Sequence, residues 1–203
     1  MFDVVPEGVD RDGFFTAPEL EFIGFSKVGK NCRISRKSSF YAISGSIGDN
    51  VRIDDFCILK GRVVIGSYVH INSHNMISGA KAPVTFKGFT GTGVGVSIFT
   101  GSDDHRSRTL NNATVMAIGE PTDQIEGPVT IGLGTIIGTY VTILPNIKIG
   151  DGASVGANCV VSFDIPDGGI VRPAKTELLE KRRDFERIKE LAFRVLENDE
   201  GSV

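Results

Sequence analysis

The chain has 203 residues, 40% of them hydrophobic and 23% charged, with a formal charge of −3 at neutral pH. That length suffices for one domain with a real core, and the charge supplies no bulk attraction to nucleic acid or to an anionic membrane surface. No apolar run approaches the ~20 residues of a membrane helix, and the acidic start MFDVVPEGVDRDGFF lacks the basic-then-apolar form of a secretory signal, so a soluble cytoplasmic protein is expected.

Residues 1–26 carry Phe14, Phe15, Phe22 and Phe25 around Pro18, with no repeat. They predict an irregular or short helical cap over the open end of a repeat that begins at Val28, because a solenoid must hide its terminal apolar layer. From Val28 the chain falls into a six-residue rhythm. Val28, Ile34 and Phe40 are anchors, and after one extra residue the series runs through Ile47, Ile53, Leu59, Ile65, Ile71 and Ile77. Val51, Cys57, Val63 and Val69 are companions, each two residues ahead of an anchor. Pro83 shifts the phase, and anchors resume at Phe86, Thr92 and Ile98. Residues 99–127 show no such period, and a loop of that length inside a compact domain is usually functional. Residues 129–161 restore the rhythm without a miss at Ile131, Ile137, Ile143, Ile149, Val155 and Val161, with Thr135, Val141, Ile147, Ala153 and Cys159 as companions.

A helix needs apolar steps of three and four, and a lone strand needs alternation. A fixed period of six instead marks a parallel β-helix of hexapeptides, each a short strand and a turn. Three hexads close one triangular coil, and six coils at about 4.8 Å each span roughly 30 Å. The expected division is a cap over 1–26, a β-helix over 27–165 with the inserted loop 99–127, and an extension over 166–203 after FDIPDGG. In that extension Leu178, Phe185, Ile188, Ala192 and Val195 share one face of a predicted C-terminal α-helix, with Thr176 as its N-cap. Cys32, Cys57 and Cys159 have no metal-type spacing and read as free thiols.

Residues flanking an inward anchor of a strand point outward. Stacking Ile34, Ile53, Ile71 and Thr92 therefore lines up Arg33, Arg52, His70 and Gly91 in one outward column, and Ser35, Asp54, Asn72 and Gly93 in the next. Arg52, Asp54, His70 and Asn72 become a patch on one flat face. Gly91 and Gly93 beside it bare the backbone to a ligand or a neighbouring chain. A subunit interface using charge pairs satisfies the same pattern. His74 and Asn75 stand at the next corner, and a buried amide in Asn75's companion position requires hydrogen-bond partners.

The segments IGDNVRIDDFCILKG (47–61), VVIGSYVHI (63–71), VSIFTGSDDH (96–105) and IPDGGIVRPAK (165–175) resemble the left-handed β-helix acyltransferases. The likeness is strongest to the sugar O- and N-acetyltransferases of bacterial polysaccharide clusters, and among them to the acyltransferases that acetylate the amine of dTDP-4-amino-4,6-dideoxyglucose. The left hand comes from this resemblance alone, since sheet crossovers are ordinarily right-handed. The resemblance implies an acetyl-CoA donor, a nucleotide-linked amino sugar as acceptor, no metal, a homotrimer with sites between subunits, and a place in lipopolysaccharide O-antigen biosynthesis. HINSHN resembles the H-I-A-H-D of these enzymes with one residue inserted, which maps the base to His74. Asp103, Asp104 and His105 open the long loop, at a point where some relatives carry a histidine in the place of Ser102. Gly138, Thr139, Ala157 and Asn158 match positions that line the pantetheine, and Arg172 and Lys175 are expected to meet the phosphates of CoA. Phe163 departs from the family pattern, which has lysine there.

Acyl transfer to an amine needs a neutral nucleophile and a group to collect its proton. Histidine suits that task near neutral pH, and a carboxylate holds its tautomer or binds the ammonium. His74 or His105 is the expected base, with Asn72 and Asp54 or Asp104 assisting. Arg52, His70, Asp54 and Asp103 are expected to bind substrate. The developing oxyanion needs a donor, from a backbone N–H or the Asn72 amide. Three other readings compete. They are a sugar O-acetyltransferase, a non-catalytic structural hexapeptide subunit, and a zinc carbonic anhydrase on the same scaffold, which would need His70, His74 and His105 together.

Overall fold

A computed structural model describes residues 13–104 and 123–173. His105, Lys175 and the predicted C-terminal helix lie outside the described residues, as does most of the inserted loop. The six-residue period is realised as a three-sided parallel solenoid. Its second face shows the plan most simply. Seven two-residue strands lie side by side in parallel: Arg33–Ile34, Arg52–Ile53, His70–Ile71, Gly91–Thr92, Ile136–Ile137, Ser154–Val155 and Ile170–Val171. The third face stacks Ser39, Ile58, Met76 and Ser97 in register, and the first face stacks Ile47, Ile65 and Phe86. Every anchor from Ile47 to Val161 is buried, and the companions fill the axis between them.

Corners follow from the same count. The third residue after an anchor takes the left-handed conformation at Asn50, Phe56, Tyr68, His74, Phe89, Tyr140 and Asn158, with φ between 49° and 61°. Bulky side chains rarely adopt such angles, so these corners are held by the coils around them. Side chains also tie coil to coil. Asp49 Oδ1 accepts the Lys30 N–H at 2.8 Å, and Asp151 Oδ1 accepts that of Leu133 at 2.9 Å. The recurring I-G-D turns therefore satisfy backbone donors of the preceding coil that would otherwise lack partners.

Three departures from the period have local causes. Residues 80–83 bulge outward where Gly61 pairs with Gly79 but Val63 pairs with Val84, which accounts for the phase slip at Pro83. The inserted loop begins and ends as an antiparallel ribbon of Gly101–Asp103 with Gln124–Glu126. Gly127 N–H then donates to Thr100 O at 3.1 Å, and Val129 stacks directly on Val84. The insertion thus leaves and rejoins at one edge without disturbing the column. Finally, the solenoid runs beyond residue 165. Ile165 bridges Ile149, Gly168 takes the corner position at φ 67°, and Val171 pairs with Val155. Val171 is six residues after Ile165, so one more hexad lies inside what the sequence assigned to the extension.

At the other end, helix Ala17–Ile23 follows Thr16, whose backbone N–H donates to Glu19 Oε2 at 2.8 Å. Leu20 of this helix is buried in the core, and Phe15 and Phe25 meet Phe40 edge-on at 5.7 and 6.0 Å.

Candidate active site

The second face assembles the outward patch in the expected register: Arg33 beside Arg52, Arg52 beside His70, and His70 beside Gly91. Arg52 Nε donates to Asp54 Oδ1 at 2.6 Å, and Asp54 Oδ2 lies 2.8 Å from His70 Nε2. Burial works to raise the Asp54 carboxyl, but the hydrogen bonds from His70 and Arg52 outweigh it and hold the group below its ordinary value. An ionised Asp54 accepts only, so His70 carries its proton on Nε2. One residue further, Asp55 accepts hydrogen bonds from Ser35 Oγ and, at 2.9 Å, from Lys37 Nζ.

His74 stands at the corner after this patch, its ring centre 5.1 Å from that of Phe56. Phe14, Arg52, Asp54, Asp55, Phe56, Ser73 and His74 line a cleft of about 440 Å³. Asn72 Oδ1 accepts the Ser73 N–H at 2.8 Å, which leaves the NH₂ end as the donor for an incoming oxygen. Buried Asn75 has a local explanation. Its Nδ2 donates to Asn72 O at 2.7 Å, to Gly93 O at 2.9 Å and to Ser73 O at 3.2 Å. Other companions with a donor do the same: Thr135 Oγ1 reaches Gly132 O and Gly150 O, and Cys57 Sγ reaches Asn72 O. Asn75 is therefore a latch on the corner that presents His74.

The corners between the second and third faces are hydrogen-bonded in series. His74 N–H donates to Asp55 O, Gly95 N–H to Ser73 O, Tyr140 N–H to Val94 O and Asn158 N–H to Thr139 O, at 2.9 to 3.1 Å. Phe56, His74, Gly95, Tyr140 and Asn158 thus form one column along a single edge. His74 and the residues matched to the pantetheine, Thr139 and Asn158 among them, share that edge two to three coils apart, or about 10–14 Å at the strand spacing. Thr139 is half-buried, and Ala157 and Asn158 are exposed. Gly138 has a separate reason to be glycine, since a Cβ there would meet Ala157 N at 2.5 Å. Arg172 is exposed on the last coil.

The loop residues sit elsewhere. Asp103 Oδ1 accepts from Gln124 Nε2 at 3.2 Å, and Asp104 N–H donates to Asp123 O at 3.0 Å, both in or beside the ribbon. Asp103, Ser102, Lys81 and Phe99 line a second cleft of about 440 Å³, to which His74 does not contribute. Within one chain, then, Asp103 and His74 face different clefts. Sequence reasoning left out Phe14, Asp55, Phe56 and Tyr140. Phe56 and Tyr140 occupy the third place after an anchor, so counting hexads to the corner would have marked them. Among the described residues no three His, Cys, Asp or Glu side chains gather to hold a metal ion.

Residues 45–79 and 124–162 match the family described as bacterial transferase hexapeptide (six repeats). Over 150 residues the chain is 37% identical to dTDP-4-amino-4,6-dideoxy-D-glucose acyltransferase of Escherichia coli, spanning 72% of this chain and 77% of that protein. It is also similar in structure to AntD, an N-acyltransferase from Bacillus cereus. A serine-to-alanine variant of AntD in complex with dTDP-4-amino-4,6-dideoxyglucose and coenzyme A shares 33% identity at a TM-score of 0.73, over 90% of this chain and 98% of that one. AntD in complex with dTDP and 3-hydroxybutyryl-CoA shares 33% identity at a TM-score of 0.71, over 93% and 98% of the two chains.

Fold and similarity together define a left-handed β-helix acyltransferase built of hexapeptide repeats. Within that class the chain belongs to the family of the dTDP-4-amino-4,6-dideoxy-D-glucose acyltransferase. It is an enzyme, which sets aside the non-catalytic subunit.

Proposed function

We propose that the chain transfers an acetyl group from acetyl-CoA to the amine of a nucleotide-linked amino sugar, dTDP-4-amino-4,6-dideoxyglucose or a near relative. The observation that carries this reading is the shared edge, which sets His74 and the pantetheine-matched residues Gly138, Thr139, Ala157 and Asn158 along one line. The amine lone pair attacks the thioester carbon, a C–N bond forms, and the C–S bond breaks with CoA leaving as thiolate. The proton released from nitrogen passes to His74 and on to the thiolate sulfur. Asn72 NH₂ or a corner N–H meets the oxyanion. Arg52 and His70, both hydrogen-bonded to Asp54, face the nucleotide's diphosphate. Arg172 faces the phosphates of CoA.

A second assignment of the base rests on one specific observation. His70, not His74, is the histidine whose tautomer a carboxylate holds. Replacing each histidine singly separates the two.

Self-association into a homotrimer completes the proposal. Gly91 lies where a Cβ would meet nothing within 4 Å, in the same outward column as exposed Ile136 and Ile170. Packing within one copy gives no reason for that bareness, and a neighbouring copy supplies one. In a trimer the Gly101–Asp103 ribbon of one copy meets the His74 edge of the next, which is how Asp103 and Asp104 enter the site. The setting is cytoplasmic synthesis of a surface polysaccharide such as an O-antigen.

Release of free CoA, measured with acetyl-CoA and a panel of dTDP- and UDP-linked amino sugars, tests the reading. Turnover is expected with the dTDP-4-amino sugar and not with its 4-hydroxy counterpart, whose acetylation would instead establish O-transfer. Absence of both acetyl-CoA binding and turnover across the panel overturns the proposal.

A further inference from the structure

Tyr140 lies between the two ends of the proposed site and has no part in the chemistry above. It is 62% exposed and holds the left-handed corner conformation at φ 56°. The other bulky corner side chains have ring partners. Tyr68 stacks on Phe89 at 4.6 Å, and Phe56 meets His74 at 5.1 Å. Tyr140 instead lies over a glycine. A Cβ on Gly95 would stand 2.5 Å from Cδ1 and Cε1 of the Tyr140 ring. The ring therefore leans out of its own coil onto the preceding one, in the direction of His74, and Gly95 is the residue that leaves it room.

This inference rests on the acyltransferase reading, with the sugar amine near His74 and the pantetheine near Thr139 and Asn158. The thioester carbon must then lie between them, about 3–3.5 Å from the amine nitrogen. The intervening coil is that of Gly95, and the Tyr140 ring covers it. We propose that Tyr140 is the wall against which the acyl group packs, and that its ring sets the length of acyl chain the enzyme accepts. A two-carbon acyl group ends at the ring, whereas a four-carbon chain must displace it.

Acetyl-CoA and 3-hydroxybutyryl-CoA are compared as donors by kcat/KM, for the wild type, Tyr140→Gly and Tyr140→Phe. Glycine suits φ 56° without strain, so Tyr140→Gly is expected to fold, as circular dichroism and the melting temperature will show. Hydrophobic pockets discriminate by about ten- to two-hundred-fold per methylene. Removal of the ring should therefore shift the donor ratio at least about tenfold toward the longer chain, while Tyr140→Phe keeps the wild-type ratio. If the wild type transfers neither acyl group, the parent reading fails. If the wild type is active and Tyr140→Gly keeps its donor ratio, whether or not overall activity falls, the Tyr140 inference is overturned alone.

Discussion

Two edges of this solenoid share one backbone and differ in what it presents. Along the edge between the first and second faces, the corner residues of the first four coils are Asn31, Asn50, Tyr68 and Phe89, which meet in pairs, and Gly134, Gly152 and Gly168 continue the column without side chains. Asn31 Nδ2 donates to Asn50 Oδ1, and Tyr68 stacks on Phe89. Along the edge between the second and third faces the same φ angles carry Phe56, His74, Tyr140 and Asn158, with a glycine in the middle and a cleft at one end. The hexad dictates where a corner falls and which way its side chain projects. Whether the side chains pair with each other or leave a gap for a ligand depends on which residues fill it.

Breaking the functional edge should have the largest effect. His74→Ala is expected to lower kcat for amine acetylation by about 10²-fold or more, the usual contribution of a positioned base. Tyr68→Ala, on the edge whose residues pair with each other, should leave kcat within about twofold. Steady-state CoA release measures both. A His74→Ala enzyme with unchanged kcat, together with a large loss in His70→Ala, would move the base one step along the patch to the histidine held by Asp54.

Next in size is a change in the column itself, which should make no distinction between the edges. Ile71 is fully buried between Ile53 and Thr92, and Ile71→Ala is expected to cost about 2–5 kcal/mol from lost burial and a residual cavity. Denaturant unfolding checks this. The corner latch comes third. Asn75→Val removes a donor from three carbonyls and should cost about 1–3 kcal/mol, while Asn75→Thr, which restores a donor of the kind used by Thr135, should recover part of it. Because the latch holds the His74 corner, Asn75→Val should also reduce kcat more than its stability loss explains, in urea-free assays well below the melting temperature.

These regions are unequally legible in the sequence. A strict period of six displays the strand register directly, so the columns that hold Arg52, His70, Asp54 and Asn72 can be written down from the chain alone. Val171 obeys the same period, but the proline and glycines of FDIPDGG look like an ending and hide it. The corners are harder. Alternation along a strand says nothing about the residues in a bend, so Phe56 and Tyr140 are found only by counting to the third place after an anchor, where the left-handed φ turns the side chain outward. The reason for Asn75 is hidden differently, since one of its acceptors, Gly93 O, lies 18 residues on. The meeting of Asp103 with Gln124 and of Asp104 with Asp123 depends on where a long unperiodic insertion returns, which no local pattern encodes.

The smallest expected effect concerns the charges beside the cleft, and it sharpens the comparison from the electrostatic side. Burial works to raise the Asp54 carboxyl, but His70 and Arg52 hold it below its ordinary value. A carboxyl whose folded value is depressed binds protons less readily in the native state. Its stabilising contribution is therefore fully present above the unfolded value and is lost as pH falls through the folded one. Unfolding tracked from about pH 6 down to about pH 2 should show part of its acid sensitivity vanish in Asp54→Asn. Arg52→Ala removes one of the two side chains that hold the carboxyl down and should flatten the acid slope by a smaller amount. An unchanged slope in both variants would mean that acid sensitivity arises elsewhere than in the patch that His70 and Arg52 build around Asp54.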